Sequence, residues 1–231
     1  MTNAARKLEI LYEDNHLLVV NKPAMLPTMG VAEDEPSLLT VAKDYIREKY
    51  QKPGNVYLGI VSRLDTPVTG VTILARTSKA AARLSAAFRD RQVQKLYWAV
   101  VAGELPEPEG LLEHYLRKDE RHRKVHVTNA SAPDAQLARL EYRMLNNRGG
   151  LTLLEIKLET GRKHQIRVQL AKHGFPIIGD RKYGSERKFP IGIALHARQL
   201  VVEHPVSKEP ITFVAPLPSS WQKERAFAGL F

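Results

Sequence analysis

The chain has 231 residues, 43% of them hydrophobic, and carries 35 Lys and Arg against 25 Asp and Glu, a formal charge of +10. That apolar share supplies a sizeable core and excludes disorder as the default, and the basic balance favours a polyanionic partner, nucleic acid or an anionic membrane surface. There is no cysteine, which excludes a disulfide framework, a thiolate metal site and a thiol nucleophile. Met1 to Leu8 has no apolar signal core, and no run approaches the ~18 apolar residues of a membrane span. We therefore expect a soluble, cytoplasmic protein. In chain order, Leu8–Tyr12 and His16–Asn21 are short apolar runs around Glu13-Asp14-Asn15 and predict a hairpin, ended by Lys22-Pro23 because proline cannot donate to a ladder. Ser37 reads as a helix N-cap, and Leu38, Val41, Ala42, Tyr45 and Ile46 follow at helical spacing. Val71–Ala75 predicts a buried strand. Thr77 or Ser78 caps a second helix with a stripe of Ala80, Leu84, Ala87 and Phe88.

Leu96–Ala102 predicts a further strand closed by Gly103, followed by an irregular stretch, Leu105–Glu109. Ala138–Met144 alternates cleanly, Asn146–Gly150 reads as a turn, and Leu154, Ile156 and Leu158 alternate again, which predicts an antiparallel hairpin with one face on the core. A helix is expected around His164–His173, stopped by Gly174. Strands follow near Leu200–Glu203 and Ile211–Val214. Strand pairs joined by short turns outnumber βαβ crossovers, so the expected class is α+β, a mixed, mostly antiparallel central sheet flanked by helices. The expected organisation is one catalytic-size domain over 1–231, with a weak waist near Gly103–Gly110 and no internal repeat.

The positive charge is clustered. Nine Lys or Arg lie between Thr160 and Leu200, against Asp180 and Glu186 alone. A second cluster, Arg117, Lys118, Arg121, Arg123 and Lys124, is interleaved with His114, His122 and His126. Such clusters neutralise phosphates by counterion release. Tyr115 and Tyr183 beside them are candidates for stacking on unpaired bases. In Gly161-Arg162-Lys163-His164-Gln165-Ile166-Arg167, a glycine before a helix start leaves backbone N–H groups that attract anions, and His164, Arg167 and Ala171 share one helix face. The competing reading is an ordinary exposed basic helix.

The most informative stretch is Ser62-Arg63-Leu64-Asp65-Thr66-Pro67-Val68-Thr69-Gly70. It sets a carboxylate beside an arginine in a turn between apolar runs, an odd group to aim at a polyanion unless chemistry needs it. Arg63-Leu64-Asp65 with Thr69-Gly70 resembles the HRLDxxTSG motif of the RluA family of pseudouridine synthases. Val19–Pro23 resembles that family's N-K-P element, and Lys95–Gly103 its K-x-Y-x-A-x-V-x-G strand. Gly161–Val168 is similar to GRTHQIRV and Gly179–Gly184 to G-D-x-x-Y-G. Leu195-His196-Ala197 and His204-Pro205 resemble the closing elements. The resemblance runs from about residue 10 to residue 216 with its motifs in order.

The resemblance implies a cofactor-independent RNA pseudouridine synthase of the pseudouridine synthase-like fold, acting on rRNA, tRNA or both. It makes Asp65 the catalytic aspartate, attacking either the ribose C1′ or C6 of the ring, Arg167 its pairing arginine, and Tyr97 the base-stacking tyrosine and candidate for proton removal at C5. A guanidinium beside a carboxylate lowers its pKa by about 1–3 units. Arg63 is implied to help displace the target nucleotide, and Lys22, Lys95, Arg162, His164 and Tyr183 to contact RNA or brace the scaffold. No metal, no other cofactor and no obligatory protein partner are implied, and a monomer is expected. Ser62 stands where the family has histidine, Val68-Thr69 where Thr-Ser is usual, Met25 where glycine commonly follows Lys-Pro-Ala, and Gln169 where histidine is common. With the first strand near Leu8, no room is expected for an N-terminal S4-type RNA-binding domain. Two other classes stay in view: a non-catalytic RNA-binding or RNA-folding module on the same fold, and a metal-dependent nuclease. The second lacks any H-x-E or clustered D-x-D pattern.

Overall fold

Turn chemistry and capping decide most of the elements. The computed structural model describes residues 8–32 and 35–231. In chain order these form β1 (Glu9–Glu13), β2 (Leu17–Lys22), α1 (Leu38–Lys49), β3 (Gly59–Ile60), β4 (Thr69–Ala75), α2 (Ser78–Arg89), β5 (Gln94–Ala102), β6 (Glu109–Asp119) and β7 (Lys124–Thr128). There follow β8 (Gln136–Arg148), β9 (Leu151–Leu158), α3 (Gln165–Lys172), β10 (Leu195–Glu203), β11 (Pro210–Val214) and α4 (Ser219–Gln222). They fall into two units. The first takes the described residues up to Gln94 with Ala197–Pro216, and the second Lys95–His196 with Leu217–Phe231.

In the first unit, β1 and β2 form the expected hairpin. Asp14 closes it, its Oδ1 accepting from the backbone N–H groups of His16 and Leu17, both at 2.7 Å, the Asx-type turn that short acidic side chains favour. Strands β2 and β4 are antiparallel neighbours, buried at every position, and so read as continuous apolar runs rather than alternations. Gly70 has φ +115°, and a Cβ there would lie 2.3 Å from the Ala197 carbonyl oxygen; only glycine lets β4 run beside β10 at this point. Helix α1 starts as expected on Ser37, through a capping box in which Ser37 and Thr40 each bond the other's backbone N–H. Its buried Leu38, Ala42 and Ile46 pack with Leu18, Val20 and Leu74 of the sheet. Helix α2 is capped by Thr77 and buries Ala80 and Leu84.

In the second unit the strands run β5-β9-β8-β6-β7, each adjacent pair antiparallel. The turn expected over Asn146–Gly150 is shorter in fact. The strands continue to Arg148 and resume at Leu151. Gly149 and Gly150, at φ +62° and +70°, supply the two left-handed residues of the tightest hairpin loop, and an irregularity at Met144–Asn146 absorbs the register. The β6/β7 hairpin is not foreshadowed by the sequence pattern. The face of β6 bearing the buried Leu112 and Leu116 also carries Gly110 and the half-buried His114, which breaks the apolar alternation.

Helix α3 departs most from expectation. Its six residues Gln165–Leu170 are all buried, so it is neither an exposed basic helix nor amphipathic. Val168 packs in a cluster with Leu116, Val125, Ala138 and Tyr183. Trp221 of α4 is fully buried among the rings of Phe189, His196, Phe227 and Phe231.

Candidate active site

Asp65 lies in the loop between β3 and β4 and is half-buried. Its carbonyl oxygen accepts from the Val68 N–H at 3.0 Å, closing a turn over Thr66-Pro67. The Thr66 carbonyl in this turn has partners in another segment. It accepts from the Met25 N–H at 2.9 Å and from the Lys22 ammonium at 3.2 Å. On the other side of Asp65, the Thr28 hydroxyl donates to the Leu64 carbonyl at 2.9 Å and accepts the Leu64 N–H at 3.3 Å. The loop is thus tied to the Lys22–Thr28 segment through the residues directly before and after Asp65.

Lys22 is the centre of this arrangement. Its side chain is wholly buried, and its ammonium donates to the carbonyls of Pro23 at 2.9 Å, Leu26 at 2.8 Å and Thr66 at 3.2 Å. All three ammonium protons therefore have backbone acceptors, and none of the side chain reaches the surface where a phosphate would lie. Of the two roles expected of Lys22, RNA contact or scaffold, this burial among backbone carbonyls fits the scaffold. Burial pushes its pKa down to about 7, while the Asp65 carboxylate acts in the opposite sense. Arg63, two residues before Asp65, is exposed.

The other candidates belong to the second unit. Tyr97 and Lys95 sit two apart on β5, hence on one face of the strand, and both are half-buried. Tyr97 lies opposite Ile156 of β9. The Lys95 ammonium packs so closely over Gly161 that a Cβ there would be 3.4 Å from it. Arg167 is buried on α3 and pairs in bidentate fashion with the buried Asp180, Nε to Oδ2 at 2.6 Å and Nη2 to Oδ1 at 2.9 Å. Its guanidinium lies over the Tyr183 ring, 5.1 Å from the centroid. The Tyr183 hydroxyl accepts the Val125 N–H at 3.0 Å and is 2.8 Å from His164 Nδ1. His164 itself has φ +54°. Tyr183 is therefore a buried brace between α3 and β7, and its ring, faced by Arg167 and by Lys124 at 5.3 Å, is not presented for stacking on a base as the sequence suggested.

The anion-binding helix start is also occupied. The Gln165 side-chain oxygen accepts from the Arg162 N–H at 2.9 Å and from the Thr160 hydroxyl at 2.8 Å, while its amide donates to the Arg139 carbonyl at 3.0 Å. Arg162 donates through Nε to the Leu137 carbonyl at 3.0 Å. It lines a cleft of about 270 Å³ with Lys118, Lys163, Glu120 and Asp134 around an apolar floor of Leu116 and Val125. Among the described residues no three His, Asp or Glu side chains gather as metal ligands would, and no helix is long and apolar enough to cross a membrane.

The structure thus joins Lys22 to the Asp65 loop, and joins Arg167, His164 and Tyr183 to one another. Sequence reasoning missed Asp180 and Thr28 as the residues that fix Arg167 and Leu64. Asp180 had a signal, its place inside the Gly179–Gly184 motif; Thr28 had none.

Residues 16–172 match the family model of RNA pseudouridylate synthases. The chain belongs to that family. Its members are isomerases that act on RNA. The chain is 36% identical to the ribosomal large subunit pseudouridine synthase D of Xanthomonas campestris, over 94% of this chain and 68% of that protein. It is 34% identical to an uncharacterised RNA pseudouridine synthase of Synechocystis, over 94% of this chain and 67% of that one. Among solved structures, Human RNA Pseudouridylate Synthase Domain Containing 4 superposes with a TM-score of 0.79 at 27% identity, covering 96% of this chain and 92% of that one. The α+β class and the mostly antiparallel sheet are those of this synthase family.

Within the family three departures acquire a physical meaning. Met25 has φ +58°, the left-handed region where glycine is the unstrained choice. Gln169, wholly buried, donates from its amide nitrogen to the carbonyls of Leu112 at 2.9 Å and Ala138 at 3.2 Å, with His114 Nδ1 at 3.1 Å. It ties α3 to two strands. Val68 is buried, so an apolar side chain suits its place. Nothing in the structure explains Ser62.

Proposed function

We propose that this pseudouridine synthase converts specific uridines of rRNA or tRNA to pseudouridine with Asp65 as the nucleophile, Tyr97 stacking on the base and Arg167 as the family's arginine of the site. The carboxylate oxygen forms a bond either to the ribose C1′, the glycosidic electron pair leaving with N1 of uracil, or to C6 of the ring. In both routes the base separates, turns and rejoins the ribose through C5, and the bond to the carboxylate breaks with its electron pair returning to the Asp65 oxygen. The C5 proton then departs, with Tyr97 as the group that takes it, and N1 gains a proton, so the product is an isomer. No oxidant, reductant or cofactor enters this balance, and a carboxylate held in place serves as a covalent catalyst.

The observation that carries the reading is the double tie on the Asp65 loop, from Thr28 at Leu64 and from Lys22 and Met25 at Thr66. A turn-forming aspartate needs no such restraint, whereas a nucleophile gains most from a fixed approach. Arg63, Lys95, Arg162 and His164 supply contacts to RNA, and Lys22 and Tyr183 serve from beneath the surface. We place the protein in the cytoplasm as a monomer of one catalytic domain, which its lack of cysteine suits.

The test is release of tritium from RNA labelled at C5 of uridine. Asp65→Ala abolishes release while RNA affinity, set by the basic surface, stays within about threefold. Release at the normal rate by Asp65→Ala overturns the assignment. Tight RNA binding without release by the unaltered protein turns the reading into that of a binding module.

A further inference from the structure

The segment Pro23–Met29 is tied at five backbone groups, yet it turns two large apolar side chains outward. Lys22 bonds the carbonyls of Pro23 and Leu26, the Met25 N–H bonds Thr66, and the carbonyls of Pro27 and Thr28 accept from Leu38 and Leu39 at the start of α1. Leu26 and Thr28 point inward and are buried, whereas Met25 and Met29 are 50% and 45% exposed. The exposure of Met25, whose N–H is bonded to Thr66, is therefore set by a tied backbone.

Met25 is the more telling of the two. At φ +58° a long L side chain is disfavoured by the clash of Cβ with the backbone, and glycine would relieve it. A methionine there, with half its surface in water, adds little to the core. Residues held in such conformations cluster where function needs a side chain at a particular place. That place is one hydrogen bond from Thr66, the residue after Asp65.

A base must leave its stack before its ring and ribose are open to attack, and this costs a few kcal/mol. Proteins that open base steps do so with apolar wedges, methionine among them. The unbranched, polarisable thioether adapts to whichever ring it meets. We propose that Met25, backed by Met29, is such a wedge: it fills the gap left in the RNA stack by the target uridine and so sets a preference for targets that are stacked in the free RNA. The inference rests on Asp65 as the point of reaction and assigns a residue in which this chain departs from its family's usual pattern.

The test uses the full-length protein and hairpin RNAs with seven-nucleotide loops. Each loop position in turn is uridine followed by 2-aminopurine, whose fluorescence rises when it unstacks. The unaltered protein and Met25→Leu raise the fluorescence of at least one hairpin, and Met25→Gly loses most of that rise with an affinity changed less than threefold. Met25→Gly also melts about 2–4 °C higher, the shift expected from relief of a left-handed residue in a chain of this size. Tritium release by Met25→Gly falls about tenfold in kcat/KM on the responsive hairpin, equivalent to about 1.4 kcal/mol, and less than twofold on an unstructured oligonucleotide with the same target. An undiminished fluorescence rise with Met25→Gly, or a lower melting temperature, overturns the proposal. If no protein releases tritium from any RNA, the Asp65 assignment fails, and the fluorescence and melting measurements still decide the role of Met25.

Discussion

Lys22 in the first unit and Arg167 in the second are both buried cations, and they are held in opposite ways. Arg167 has a full counter-charge, the bidentate Asp180 carboxylate, at 2.6 and 2.9 Å. Lys22 is held by three neutral backbone carbonyls. A guanidinium paired in this fashion stays charged at any pH the protein meets. An ammonium among dipoles keeps little compensation for its lost hydration, and burial brings its pKa down to about 7. The second unit thus contains a permanent charge, and the first a charge that is conditional on pH. Each arrangement predicts its own mode of failure.

The largest effect is expected where a permanent charge loses its partner. Asp180→Ala leaves the Arg167 guanidinium buried without that carboxylate, and removing one member of a buried pair costs about 3–5 kcal/mol. Urea unfolding of the variant gives this directly as a lower midpoint with an unchanged slope. A loss under about 1 kcal/mol, the range of surface pairs, would show that Asp180 contributes nothing particular and that the contrast with Lys22 is false.

Neither arrangement was fully legible in the sequence, and the reasons are physical. Elements decided by local chemistry were: Ser37 and Thr77 as caps, the alternation of β8, the buried run of β4. Elements whose polar residues are satisfied by distant partners were not. Helix α3 looks like a charged surface helix because the groups that neutralise it, Asp180 and the carbonyls of Leu112, Ala138 and Arg139, lie 13 to 57 positions away in sequence. Lys22 stayed open between phosphate contact and scaffold for the same reason, since its acceptors are carbonyls and every residue has one. Tyr183 beside a basic cluster read as a stacking platform, though its hydroxyl is committed to Val125 and His164. The motifs named the candidates; long-range pairing decides what holds each of them in place.

The conditional charge on Lys22 predicts a pH dependence of defined sign. Below pH 7 its ammonium is charged in both the folded and unfolded chain, and folding bears the full cost of burying it. Between the folded value of about 7 and the unfolded ~10.4, the unfolded chain binds more protons, so this group makes stability rise with pH, by at most about 1.4 kcal/mol per unit. Lys22→Met removes the group while keeping most of its volume. The difference in unfolding free energy, native sequence minus variant, is expected to grow by on the order of 3 kcal/mol from pH 7 to pH 9.5. Parallel pH curves for the two proteins would mean that Lys22 stays charged throughout, and that carbonyls with the Asp65 carboxylate hold an ammonium as firmly as Asp180 holds Arg167.

The smallest effect is the most local, and it separates positioning from stability. Thr28 bonds both the N–H and the carbonyl of Leu64 through one buried hydroxyl, with no charge involved. Thr28→Val keeps the shape and strands two backbone groups, an expected loss of about 1–2 kcal/mol. If the hydroxyl also aims Asp65, kcat falls about tenfold while KM stays within twofold, because contacts to the rest of the RNA are untouched and only the approach of the nucleophile is loosened. Thr28→Ser retains the hydroxyl and is expected to restore kcat even if the missing methyl leaves stability lowered. That split is the decisive reading. A Thr28→Ser protein as slow as Thr28→Val would mean that packing around the methyl group holds the loop, and that Lys22 and Met25 alone place Asp65 through Thr66.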